Sequence, residues 1–244
     1  MYNMTFCMRF FILVCKVLTL PLQLLDAIGI YGIYKRFFPF LMYKMSCSYN
    51  KQMKDKKKEL FSSLLEFKCK GPLRILEIGC GTGANFEFYP GGCSVICTDT
   101  NQHFEKYLQK SLAVNDHVTF ESFVVASGED LKVVKENSVD VVVCTLVLCS
   151  VNDPAQTLHE AHRILRPGGA LFFLEHVVAD HSSWIYFFQH VLQPAWHYLG
   201  DGCSLVRATW KDLEAAGFTE LKLKHIQAPF NSLIKPHIMG YAVK

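Results

Sequence analysis

The chain has 244 residues, half of them hydrophobic and 19% charged: room for one ordinary domain and a short extra segment, too little for two domains, and too apolar for intrinsic disorder. The formal charge of +3 hides a split, because residues 1–70 hold 12 Lys/Arg against 4 Asp/Glu, net +8, whereas residues 71–244 hold 13 against 18, net −5. A basic, apolar N-terminus on a mildly acidic domain points to a membrane surface and away from nucleic acid.

Residues 1–45 read as a hydrophobic membrane anchor. From Phe10 to Tyr34 the chain is nearly all apolar, yet Lys16 and Asp26 interrupt it and Pro21 sits near its centre. A clean membrane-spanning helix needs about 20 apolar residues, and a charge at mid-bilayer costs roughly 2.5–3.5 kcal/mol. Two half-helices broken at Pro21, lying in one leaflet, fit better than a straight span. A cleaved signal peptide is the rival reading for the first 29 residues, since Ala27-Ile28-Gly29 offers a small-x-small site. The aromatic cluster Phe37, Phe38, Phe40 and Tyr43 follows Lys35 and Arg36. Residues 46–70 then form a basic linker or helix with Lys51, Lys54, Lys56, Lys57 and Lys58. Those lysines suit a collar on an anionic leaflet, or equally a solvated helix that packs Met53, Leu60, Phe61, Leu64 and Leu65 on the domain.

Residues 71–244 read as the chemistry-bearing domain. Leu73 to Ile78 is a short buried strand with Glu77 near its end, and Gly79, Gly81 and Gly83 follow at two-residue spacing. Glycines there let a ligand approach the main chain at a strand-to-helix turn, and G-x-G-x-G departs from the dinucleotide pattern G-x-G-x-x-G. A second strand, Cys93 to Thr98, ends in Asp99, placed to accept the ribose hydroxyls of a nucleoside. Val118 to Val125 is a third strand, followed by Ser127-Gly128-Glu129-Asp130, and Val139 to Cys149 a fourth. A helix near Pro154–Leu165, the turn Arg166-Pro167-Gly168-Gly169 and a strand from Ala170 to Val177 complete a βα rhythm. Near-continuous apolar strands in that rhythm imply a doubly wound parallel sheet.

The set E-x-G-x-G-x-G, an acid ending the second strand, S-G-E-D-L, V-D-V-V-V and L-R-P-G-G-x-L resembles the class I S-adenosylmethionine-dependent methyltransferases over residues 60–244. The resemblance implies a Rossmann-like α/β fold with a seven-stranded, mostly parallel sheet in the order 3-2-1-4-5-7-6. Its antiparallel end would come from Phe218–Ile226 and His237–Val243. It also implies S-adenosyl-L-methionine as cofactor. Glu77 would approach its amino-acid end through the glycine loop, Gly79, Gly81 and Gly83 would line methionine and ribose, and Asp99 would take the ribose hydroxyls. Ser127, Gly128 and Glu129 would frame the adenine, with Thr145 nearby. TLPLQLL, KKKELFS, CGTGANFEFYP, VVVCTLVLCSV and PHIMGYAVK further resemble the microsomal thiol S-methyltransferase family, its A-type branch in particular. That likeness implies methyl transfer to small lipophilic alkyl or aromatic thiols. It also implies a place on endoplasmic reticulum membrane and lipid droplets, with the domain facing the cytosol. Thr98-Asp99-Thr100-Asn101 departs from the family's Asp-Pro-Asn, loosening the turn and keeping the acid. A lipid acceptor such as a quinone or sterol, or a non-catalytic membrane-organising role, are the competing expectations.

The acceptor pocket is expected above the fourth and fifth strands, near Cys149, Ser150, Glu175 and His176, and beside an aromatic insertion holding Trp184, Tyr186, Phe187, Phe188, Trp196 and Tyr198. His176 is the first candidate catalytic proton acceptor and Asp201 the second, against the plainer reading of His176 as a hydrogen-bonded wall residue. The ten cysteines lie partly in apolar runs with no CxxC pair or tight Cys/His spacing. They are expected to be reduced thiols, Cys149 and Cys203 to be packing residues, His159 and His162 to be an exposed helix face, and no metal is expected.

Overall fold

A computed structural model describes residues 2–230 and 233–244, with side chains from Phe6 onward. Seven strands form one sheet in the order β3-β2-β1-β4-β5-β7-β6: β1 Arg74–Ile78, β2 Cys93–Asp99, β3 Val118–Val125, β4 Val139–Thr145, β5 Leu165–His176, β6 Glu220–Gln227 and β7 Pro236–Val243. All neighbours are parallel except β7, which runs antiparallel to β5 and β6. This is the expected order and the expected antiparallel end. Val141, Val142, Val143 and Cys144 on β4 and Leu171, Phe172, Phe173 and Leu174 on β5 are all fully buried. A parallel strand covered on both faces needs such a continuous apolar run.

Helices flank the sheet: α4 Glu105–Leu112, α5 Pro154–Ile164, α6 Trp184–Leu199 and α7 Thr209–Ala215. Asp153 starts α5 by accepting the Gln156 N–H, with Pro154 at the first helical position, where its missing N–H costs nothing. Asp140, the buried acid of V-D-V-V-V, pairs with Arg166 at 2.6 Å and accepts the Arg74 N–H. That motif residue therefore ties β1, β4 and the start of β5 together.

Three helices precede the sheet: α1 Tyr2–Leu18, α2 Leu20–Ala27 and α3 Tyr31–Phe61. The expected break falls at Thr19, with Pro21 inside the first turn of α2 where its ring is tolerated. No single described helix is long and apolar enough to cross a membrane, while α1 and α2 together are, with a bend of 43° between them. The boundary expected at residues 45/46 lies inside α3, a single helix of 31 residues. Its first half is apolar and exposed, at Ile33, Phe37 and Phe40, and its last turns bury Met53, Leu60 and Phe61 in the core on one face of the sheet, with Phe61 against Tyr89 and Phe172. One stiff element thus joins the N-terminal helices to the core.

The fourth strand ends at Thr145, earlier than the apolar run suggests. Leu146 takes φ +58°, so residues 146–149 turn across the strand ends. Hydrophobicity alone cannot mark this end, because the turn is as apolar as the strand and its Leu148 and Cys149 are buried too.

Candidate active site

The loop after β1 carries the geometry that its glycines require. Gly79, Gly81 and Gly83 all have positive φ, between +52° and +71°, a region costly for residues with a Cβ. At Gly79 a Cβ would fall 2.5 Å from Val147 Cγ2, and at Gly83 it would fall 2.8 Å from the Phe86 ring. At Gly81 it would meet nothing closer than the Phe104 ring at 3.8 Å, so this stretch of backbone is open to a ligand.

Asp99, at the end of β2, faces that loop. Its carboxylate accepts the Gly81 N–H at 3.0 Å and the Asn101 N–H at 2.9 Å. Burial pushes its pKa up to about 6, against the pull of these two bonds. Each oxygen keeps a lone pair for a further donor, as a ribose diol requires. Ser127 and Glu129 follow β3 on the same edge: Ser127 Oγ donates to Glu129, which also accepts the Asp153 N–H at 2.8 Å. Gly128 is pressed against Ile78 and Thr157, both 3.0 Å from a Cβ placed there, so its part is close packing under the site.

Glu77 plays a different part from its neighbours. Its two oxygens are taken by Asn85 Nδ2 and Tyr89 Oη, each at 2.7 Å, and Asn85 Nδ2 also reaches Thr145 Oγ1 at 2.9 Å. Burial raises the Glu77 carboxyl to about 7. Its role is to brace the segment behind the glycine loop and to tie it to the tip of β4. The brace continues into α3, where the Lys57 ammonium donates to Asn85 Oδ1 at 2.8 Å and Asn50 Oδ1 at 2.6 Å. Lys57 is only 2% exposed and is pushed down to about 8 by burial. Of the basic run it is the lysine that faces neither water nor lipid, a role that helical periodicity could have flagged through its register with Met53, Leu60 and Leu64.

Over the same edge α3 forms a wall. Asn101 Nδ2 donates to the Lys35 carbonyl, Ser46 meets Thr82 at 3.2 Å, and Phe38 and Tyr43 stack on Phe104 and Tyr107. Asp201, the second acid–base candidate, also faces α3, 3.7 Å from Lys35 Nζ.

His176 ends β5, 2% exposed, with Nε2 3.0 Å from Cys203 Sγ, which in turn lies 3.8 Å from Cys149 Sγ. Cys203 is pushed down by its hydrogen bond to Cys149 and then by the imidazole, and Cys149 is pushed up. The packing role expected for the two cysteines is thus incomplete: both are buried, but they meet a histidine. Three well-separated positions make this cluster, and no local spacing announces it. Tyr49 from α3 and His237 from β7 close the cluster's far side, 3.1 Å apart. A groove of about 560 Å³, lined by Val177, Tyr186, His190, Trp210, His225 and His237, opens beside it. The aromatic insertion is α6, whose Phe187 packs on Phe11 of α1 while Trp184 and Phe188 stay exposed. His159 is exposed, and His162 stacks on Phe218.

A sheet of this order, with a glycine loop after β1 and a carboxylate closing β2, is the class I methyltransferase fold, and a family model described as a methyltransferase domain matches residues 76–173. A SAM-dependent methyltransferase from Thermotoga maritima, titled a possible histamine N-methyltransferase, superposes with a TM-score of 0.60 at 18% identity. The match spans 88% of this chain and 99% of that one. The [4+2]-cyclase SpnF superposes with 0.56 at 16% identity, over 77% and 80%, so the fold alone does not fix the reaction. Human thiol S-methyltransferase TMT1A is 56% identical over 90% of this chain and 91% of its own length, and human TMT1B 50% identical over 95% and 96%. The chain belongs to the thiol S-methyltransferase family. It is an enzyme whose methyl donor is S-adenosylmethionine, and the open Gly81 backbone and the Asp99 carboxylate fit that cofactor.

Proposed function

We propose that this enzyme methylates small lipophilic thiols at a membrane surface, on endoplasmic reticulum and lipid droplets, with its catalytic domain on the cytosolic side. The observation that carries the membrane half is a set of large apolar side chains left exposed on the N-terminal helices and α6. Phe6, Phe10, Leu13, Val17 and Leu18 of α1, Leu24 of α2, Phe37 and Phe40 of α3 and Trp184 of α6 are each about half exposed or more. Such a surface on a water-soluble monomer would be an aggregation hazard, whereas at headgroup depth it is stabilising. The thiol half rests on the two human relatives, similar over nearly their whole length.

Bound S-adenosylmethionine supplies an electrophilic methyl group on a sulfonium. Asp99 and the glycine loop fix that donor at the β1–β2 edge, and α3 covers it and excludes water. An acceptor thiol with a pKa near about 8.5 needs only a modest push to shed its proton. His176 at the end of β5, with Cys149 after β4 and Cys203 after α6, is the buried cluster that serves that task. Because α3 runs from the apolar exterior to the donor edge, an acceptor dissolved in the membrane has a short path to the site.

The test is transfer of labelled methyl by the purified 244-residue chain, in phosphatidylcholine vesicles, to a panel of alkyl and aromatic thiols. Methylated product is expected with lipophilic thiols, and none with Asp99→Ala at the same cofactor concentration. Transfer to a quinone or sterol with no thiol turned over would move the assignment to a lipid acceptor. Binding of cofactor with no transfer to any acceptor would leave a membrane-organising role.

A further inference from the structure

Cys149 after β4, His176 at the end of β5 and Cys203 after α6 bring three buried donor atoms within 4.8 Å of one another. Two edges of that triangle are 3.8 Å between sulfurs and 3.0 Å between Nε2 and Cys203 Sγ. Tetrahedral zinc with bonds of about 2.3 Å to sulfur and 2.0–2.1 Å to nitrogen has ligand–ligand edges of roughly 3.5–3.8 Å. The sulfur pair is already at that spacing, the His176–Cys203 edge has to open by about half an ångström, and the third edge lies within 4.8 Å.

The surroundings hold the donors in place. Glu175 turns its carboxylate to the Val147 and Cys149 N–H groups, and Gln193 accepts the Leu205 N–H, fixing the loops that carry both cysteines. His176 meets Cys203 Sγ through Nε2, while its buried Nδ1 has no hydrogen-bond partner among the described residues. Charge also balances. Two thiolates and a neutral imidazole around one divalent cation make a neutral centre, the form that a fully buried pocket tolerates at least cost. Plain packing needs none of this, because a buried thiol is satisfied among apolar neighbours and has no use for an imidazole.

We propose that Cys149 Sγ, Cys203 Sγ and His176 Nε2 form a site for one zinc-class divalent cation, with the fourth position left to an exogenous ligand. Binding releases the two thiol protons to solvent as both S–H bonds are replaced by S–metal bonds. Three protein ligands and an open position are the pattern of a working site, in contrast to the closed four-ligand structural kind. On the thiol-acceptor reading above, the acceptor sulfur takes the fourth position as thiolate, its proton also lost to solvent, which takes the centre from neutral to a net charge of −1 until the methyl group is transferred.

The cation is read directly, without turnover. The chelator-treated 244-residue chain is titrated with Co²⁺ in zinc-free buffer. One equivalent is expected to raise a sulfur-to-cobalt charge-transfer band and a tetrahedral visible spectrum, both abolished by added Zn²⁺. Cys149→Ser and Cys203→Ser should each lose most of the band, and His176→Asn should weaken Co²⁺ binding at least about tenfold. The exposed pair Cys47→Ser/Cys69→Ser should leave it unchanged. A band equally strong in Cys203→Ser, or no band in the wild type, overturns the site. Should the serine variants fail to bind S-adenosylmethionine and so report misfolding, alkylation of the wild type decides. Zinc must protect Cys149 and Cys203 from iodoacetamide, read by peptide mass spectrometry, and equal labelling with and without zinc overturns the site. A small alkyl thiol added to the cobalt form should shift the visible spectrum. No shift overturns acceptor coordination alone, and the methyl-transfer assay judges the thiol reading separately.

Discussion

The proposed donor edge and the proposed acceptor edge are built in opposite ways. The donor edge is nearly contiguous in sequence: the loop at Gly79–Gly83 and the acid at Asp99 close on each other through one hydrogen bond of 3.0 Å. The acceptor edge gathers Tyr49, Cys149, His176, Cys203 and His237 from five separate segments. A contiguous site is held by its own backbone, whereas a dispersed one depends on the whole sheet and on what lies across it. Helix α3 is the element that belongs to both, through Lys57 on one side and Tyr49 on the other.

The sharpest way to break that link is at Lys57. Replacing it by Met removes a buried cation whose neighbours include Glu77, and losing one partner of a buried charged network costs roughly 3–5 kcal/mol. For a chain of this size that lowers Tm by about 6–20 °C, measurable by differential scanning fluorimetry. The pH dependence has a definite sign. Glu77 has its folded pKa raised to about 7, so the fold favours its protonated form and stability falls as pH rises through that value. Without the lysine that partly offsets this charge, the deficit should be larger at pH 8 than at pH 5. An equal Tm loss at both pH values would show that Lys57 serves packing alone.

The same contrast explains what could be read from residues alone. Five short motifs in order, through the family they resemble, were enough for the sheet and its strand order, and the glycine loop and strand-end acid among them are local devices set by backbone sterics. Two errors came from asking hydrophobicity to do more. The run Val139–Cys149 is apolar throughout, yet the strand stops at Thr145, where Leu146 adopts φ +58°. Lys57 sits in a lysine-rich stretch, and only the register of α3 turns it inward while Lys54 and Lys58 face out. The Cys149–His176–Cys203 cluster had no local signal at all. Its members are 27 residues apart in each step, and only the β4–β5 pairing and the loop after α6 bring them together.

At the donor edge the expected effects are smaller and act on binding instead of folding. Asp99→Ala removes an acceptor for two backbone N–H groups and for the ribose, a charged hydrogen-bond loss of about 2 kcal/mol, or about 30-fold in cofactor affinity by calorimetry. An unchanged affinity would remove the ribose assignment and with it the idea that this edge is self-contained.

The last effect separates the two edges by pH alone. Asp99 has a pKa raised to about 6 by burial, and its carboxylate is the form that accepts the Gly81 and Asn101 N–H groups. Cofactor affinity should therefore be level above about pH 7 and fall below pH 6, by at most tenfold per unit, and the dependence should vanish in Asp99→Ala. His237 at the acceptor edge is instead pushed down to about 4 by its burial, so it stays neutral over this range and adds no inflection of its own. A calorimetric series from pH 5 to pH 8 in both proteins checks this, and a slope that survives in the alanine variant would assign it to a group other than Asp99.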